Sequence, residues 1–454
     1  MGVIVRVQRM SETISSVAWA FFCASALWIT APAAAKDPMD LGLRAEIARI
    51  EAIDNHNHDD PVTVGRGSGW RPDSPLGAAA YPDVAPLRRD DPQWIRAWKA
   101  LYGYMYSDYA PEHLAELLAV KRRRMAEAGD SWPTKVLDVS GVQVAFVNAA
   151  HLGVGQKSAR FRWIPFADPL LAPFSKDHAL AGYPGGPVTI ADLMHQSGVE
   201  ALPGTLNEFI SKVVDPTLAQ WAAARAPAVK IFAAYWRGLD FAVVPYERAA
   251  RVYALGAAGT KLTRLDEKAL EDYLFVEVSA RAAERGLVVH IHTGNGNGPY
   301  FDNTTSNPGL LEDALGCERL SHARFVLLHG GWPFNLVTQA MLDKPNTYAD
   351  FSAATFYLTT HALAEVIRGW LGWHPEKVLF GTDAYSDDNT PLSDYEEKQW
   401  LLTEKSRDAV AIALTEMIDD GEVTRARAIE IARMVFRDTA IRLYGLQINP
   451  VLLR

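Results

Sequence analysis

The sequence predicts an α/β protein built as a single (β/α)8 TIM barrel, with long insertions after the first and third strands. Three observations predict it. Short β-branched or apolar runs alternate with longer amphipathic runs, the pattern of βα units around a parallel sheet. Eight such short runs occur along the chain. Four of them end in histidine or aspartate, and barrel enzymes keep their reactive groups at the C-terminal ends of the strands.

The expected strands are Ala52–His56, Val142–Asn148, Arg162–Phe166, Val229–Ala234, Leu287–His292, Phe325–His329, Thr347–Phe351 and Val378–Gly381. Several are almost continuously apolar, as expected where helices cover both faces. Helical patterns lie between them at Thr205–Ala224, Asp266–Arg285, Pro308–Leu315, Pro333–Leu342 and Thr360–Leu371. Ser393–Tyr444 reads as two or three further helices. Roughly 85 residues separate the first two strands, against about 30 in an ordinary βα unit. Pro, Gly, Trp and Tyr are dense there, so residues about 60–135 are expected to form an insertion over the barrel mouth. His151–Gly204 is similarly long and rich in proline.

The first 35 residues differ in kind. Arg6 and Arg9 precede an apolar stretch from Ile14 to Ile29, and small residues at Ala33 and Ala35 suit cleavage before Lys36. The stretch is short for a spanning helix. The expectation is a signal peptide over 1–35 and one domain over 36–454, exported to the periplasm or the medium. Cleavage would leave Cys317 without a partner for an internal disulfide.

A formal net charge of -9 argues against nucleic acid as a partner. The basic run Lys121–Arg124 reads as a solvated helix end. The expected partner is a small-molecule substrate. No stable membrane association is expected after cleavage, and assembly into a homo-oligomer is left open.

The first expected strand ends in Asp54-Asn55-His56-Asn57-His58. Residues two apart on a strand share a face, so His56 and His58 can both turn into the mouth. His290-Ile291-His292-Thr293-Gly294 ends the fifth run, Leu328-His329-Gly330-Gly331 the sixth and Gly381-Thr382-Asp383 the eighth. An unpaired imidazole or carboxylate is costly to bury, and a divalent cation offsets that cost. His290 and His292 face the same way, with His290 one layer deeper. Lys230 lies near the start of its expected strand, about 13 Å before Ala234 at 3.3 Å per residue. That reads as too deep for a ligand and suits an ion pair inside the barrel. Arg237 follows the same strand. Its fork could hold a substrate carboxylate, or form an ordinary salt bridge. Trp332, Trp70 and Tyr102–Tyr109 are candidates to wall off water. Gly294–Gly298 lacks the Lys-Ser/Thr ending of a phosphate-binding loop and reads as a tight loop beside the site.

The order of these groups, His-x-His, His, His and Asp, resembles the amidohydrolase superfamily. Within it the chain is similar to the branch that includes aminocarboxymuconate-semialdehyde decarboxylase. Lys230 with Tyr235–Asp240, His292-Thr293-Gly294 and Leu328–Phe334 are similar to the amidohydrolase domain fused in some proteins to a glutamine-synthetase-like domain. The resemblance spans about Ile50 to Tyr444. It implies His56, His58, His292 and Asp383 as metal ligands, with Asp383 also taking a proton from the metal's water. It implies His329 as the residue that polarises or protonates. Arg237 and Trp332 are expected as substrate contacts from their own chemistry and position. The implied cofactor is one Zn2+ or other divalent ion per chain. The implied reaction is hydrolysis of an amide-type C–N bond, with decarboxylation as the alternative.

Overall fold

The computed structural model describes residues 38–58, 84, 86, 88, 90–153, 156–174, 188–296, 301–386 and 391–448. The expected leader, its cleavage site before Lys36, Trp70 and the end of the glycine loop lie outside the described residues. So does much of the first insertion.

Eight parallel strands form two arcs. The first holds β1 (Ala52–Asn57), β2 (Val142–Asn148) and β3 (Phe161–Ile164). The second holds β4 (Ala228–Ile231), β5 (Val288–His292), β6 (Phe325–Leu328), β7 (Thr347–Asp350) and β8 (Val378–Leu379), in that order. Main-chain bonds close both seams. Lys230 N donates to Pro165 O, and Ala167 N to Lys230 O, each at 2.8 Å. On the other side His58 N donates to Ala384 O at 2.7 Å and Asn55 N to Phe380 O at 3.0 Å. The result is the expected (β/α)8 barrel.

The barrel interior is packed in layers, as such barrels require. Ile53, Val144, Phe146, Ile164, Ala228, Val288, Val326, Leu328 and Leu379 form the apolar inner cluster. Ala440 and Leu443, from the last helix Thr439–Tyr444, join it from the end where the strands start. The outer faces of the strands pack on the surrounding helices, including Arg264–Glu284 and Thr360–Leu371. Among the described residues, no helix is long and apolar enough to cross a membrane.

The described part of the first insertion forms three helices, Gln93–Tyr102, Pro111–Ala128 and Trp132–Ser140. The first and third pack against the long helix Tyr395–Asp419, and Pro111–Ala128 reaches it through Lys121. Lys121 is not solvated as its basic run suggested. Its Nζ is buried against Glu397, at 3.0 and 3.1 Å, and donates to the carbonyl of Pro391 at 2.8 Å. A buried lysine needs such partners. Tyr102 donates to the same Glu397 at 2.9 Å. The aromatic residues Tyr102, Tyr104 and Tyr109 cluster with Trp94 and Trp98, so they serve this contact and do not line the pocket described below.

Candidate metal centre

Four strand ends meet at the barrel mouth. Between Asp54 and Asn57, β1 advances three residues while β2 advances from Ala145 to Val147. Such a bulge re-aims side chains. Asp54 points outward, where it takes Thr382 N at 2.9 Å, Thr382 Oγ1 at 2.6 Å and Gln399 Nε2 at 3.0 Å. His56 and His58 point to the mouth. Their Nε2 atoms lie 3.0 and 3.4 Å from Asp383 Oδ1. One donor atom from each of His56, His58 and Asp383 lies within 4.8 Å of the others.

His329 and His292 complete the floor. Their ring centroids are 4.5 Å apart, and that of His329 is 5.0 Å from His56. His329 Nδ1 is 2.8 Å from Ser352 Oγ and 3.8 Å from Asp383 Oδ2. His329 and Asp383 both hold left-handed backbone angles, with φ of 67° and 57°. That region is unfavourable for side chains other than glycine, and such strain gathers at functional sites. Gly330 continues the turn at φ 57°, where a Cβ would stand 2.1 Å from the Trp370 ring.

The charge states suit metal binding. Burial pushes His56 down to about 3, with the Lys230 charge adding to the effect. Burial likewise holds His292 and His329 well below the usual imidazole range, so all three are neutral at neutral pH. Burial would raise the Asp383 carboxyl, but His329 and His56 outweigh it and hold the group well below its usual range. Neutral imidazoles and an ionised carboxylate are the ligand forms a divalent cation takes. His292 Nε2 is buried without a hydrogen-bond partner among the described residues. An orphaned buried nitrogen in this donor set suits a cation as its partner. The site can hold one divalent metal ion per chain.

Three expectations are corrected. Lys230 is not set too deep. β4 ends at Ile231, because Ala233–Tyr235 turn into a 3-10 helix. Lys230 therefore lines the pocket, with Nζ 3.5 Å from His56 Nε2, and makes no ion pair inside the barrel among the described residues. Burial lowers it to about 8. Arg237 does not reach the pocket. Its fully buried guanidinium pairs with Asp272 at 2.8 Å and Glu271 at 3.3 Å, and stacks over Phe241. Trp332 stands one ring further out than expected: it stacks on Tyr357, and Tyr357 faces the pocket.

The pocket is tight, with a cavity volume of about 30 Å3. Its wall is aromatic, from Phe166, Phe232, Tyr235, Tyr357 and Tyr385. His290, the alternative to His292, sits below and bonds to Tyr444 at 2.7 Å. Sequence reasoning passed over Asp350. It ends β7, Thr347-Tyr348-Ala349-Asp350, as the lone charge of that strand, and it accepts the backbone N–H of His329 at 2.8 Å.

A parallel barrel with His, His and Asp gathered at its mouth defines a metal-dependent enzyme. Residues 149–446 match the amidohydrolase family, and the chain belongs to it. Protein fluG of Emericella nidulans is 25% identical over 283 residues, which cover 59% of this chain. The chain spans 30% of that relative's length. Two solved structures share the fold at low identity. Uronate isomerase of Thermotoga maritima gives a TM-score of 0.64 at 15% identity, over 90% of this chain and 98% of that one. Glucuronate isomerase of Caulobacter crescentus gives 0.59 at 13%, over 90% and 94%.

Proposed function

We propose that the protein is a Zn2+-dependent hydrolase that cleaves an amide-type C–N bond of a small molecule. One observation carries the reading. The Asp383 carboxylate faces His56 and His58 through one oxygen and His329 through the other. A single carboxylate thus stands where it can hold a metal and receive a proton. His56, His58, Asp383 and His292 would hold the ion, and their nitrogen and oxygen donors suit Zn2+. When bound, the cation supplies a Lewis acid for the substrate carbonyl and a nucleophile at neutral pH.

The chain's own residues do the rest. Asp383, ionised at neutral pH, accepts a proton as the carbonyl is attacked and returns it to the leaving nitrogen. His329, held by Ser352 and Asp350, is placed to stabilise charge developing on the carbonyl oxygen. The five aromatic side chains limit water around the reacting bond. Arg237 is left out of this scheme, since its charge is already paired. Export of the chain, and the place of the protein in the decarboxylase-like branch, belong to the same reading and rest on sequence alone.

The test is a screen of N-acyl and γ-glutamyl compounds with purified, Zn2+-loaded protein and amine detection. Metal-dependent amine release is expected. Release of carbon dioxide without amine would replace the hydrolase reading with a lyase.

A further inference from the structure

Beneath the metal ligands the barrel interior carries a column of hydrogen bonds. It starts at Tyr444, the last residue of the C-terminal helix. The Tyr444 ring meets Phe146 edge-on at 4.7 Å and His290 at 5.7 Å. Its hydroxyl contacts His290 Nε2 at 2.7 Å and donates to Asn55 Oδ1. Asn55 Nδ2 then donates to Asp350 Oδ2 at 2.7 Å. The other oxygen of Asp350 accepts His329 N and Ser352 Oγ, both at 2.8 Å, and Ser352 N at 3.1 Å.

The donors can be assigned. An ionised carboxylate only accepts, so the Asn55 amide nitrogen must face Asp350 and its oxygen must face Tyr444. The tyrosine proton is therefore committed to Asn55. The remaining lone pair takes the His290 N–H, which fixes the His290 tautomer. Every bond in the column has one direction.

We propose that Tyr444 is a positioning residue for the metal centre. It grips Asn55, which sits in the β1 bulge directly before His56. Asp350 grips the other end of the same amide and also the backbone of His329. The column therefore sets both the bulge that aims His56 and His58 and the turn that carries His329. Loss of the hydroxyl would leave Asn55 Oδ1 and the His290 N–H without partners inside the barrel. Partners behind metal ligands set affinity by about 10- to 100-fold. The inference rests on His56, His58 and Asp383 being the ligands.

The test strips the protein with a chelator and titrates Co2+, followed by calorimetry and visible absorption. Tyr444→Phe keeps the ring that fills the barrel floor. It should weaken Co2+ binding by about 10- to 100-fold and change the Co2+ spectrum. The melting temperature of the metal-free form should move by a few degrees at most. Phe146→Leu removes packing from the same ring but spares the column. It should lower the melting temperature and leave Co2+ affinity at the parent value. Unchanged affinity and spectrum in Tyr444→Phe would overturn the proposal. So would equal weakening in Phe146→Leu, which would make the effect one of packing. A parent protein that takes up no Co2+ would overturn the metal reading itself, and this inference with it.

Discussion

Lys230 Nζ lies 3.5 Å from His56 Nε2, the nitrogen that also meets Asp383 Oδ1 at 3.0 Å. A cation so close to a metal ligand opposes metal binding. Two unit charges at about 4 Å interact by ~1–4 kcal/mol at effective dielectrics of 80 to 20. Lys230→Met should therefore tighten Zn2+ binding, by about tenfold for each 1.4 kcal/mol relieved. The metal count should stay at one per chain. Weaker binding, or a fall from two ions to one by elemental analysis, would make Lys230 a ligand.

Asp383→Asn should preserve the fold and remove most turnover, because an amide accepts no proton. The loss should be about 10²–10⁴-fold in kcat for the proton-transfer role. Circular dichroism and kcat on the same preparation check it. Retained turnover would remove Asp383 from the chemistry.

His329→Asn should keep its metal and lose activity, whereas His56→Asn and His58→Asn should lose metal first. His292→Asn should also weaken binding, since its free Nε2 would be absent. Metal stoichiometry and turnover on all four variants decide the roles. A metal-free His329→Asn beside a fully loaded His292→Asn would exchange the two assignments.

Arg237→Met should act on stability and not on substrate. It would leave Glu271 and Asp272 buried with less compensation, and breaking such a pair costs about 3–5 kcal/mol. The melting temperature should fall while KM for any substrate found stays at the parent value. A raised KM at unchanged stability would return Arg237 to the binding site.

Much of this was legible because strand ends have a simple grammar. Apolar runs closed by His or Asp marked β1, β5, β6 and β8, and β2 was read over its observed span, Val142–Asn148. What stayed hidden depends on partners far away in the chain. The sequence pattern carries β4 through Ala234, yet Asp168 takes the Phe232 N–H at 3.0 Å and Trp236 Nε1 at 2.9 Å, and the chain turns there. Nothing local in Phe232–Ala234 announces that turn. The same turn brings Lys230 to the site. Arg237 has the chemistry of a carboxylate clamp, and only the helix Arg264–Glu284 reveals which carboxylates it holds. The bulge in β1 was also invisible, although the spacing of His56 and His58 was right. Asp350 is the signal within reach: a lone acid at the end of an otherwise uncharged strand.

The two seams of the barrel pass through the site itself. Lys230 joins one and His58 the other, yet each contributes through its main chain. Enclosure and chemistry therefore use different atoms of the same residues. Side chains at these positions can be exchanged without breaking the main-chain bonds that close the ring. At His58 such an exchange removes a metal ligand, so Lys230 is the wall position where the chemistry can be altered while the ring and the ligand set both stay.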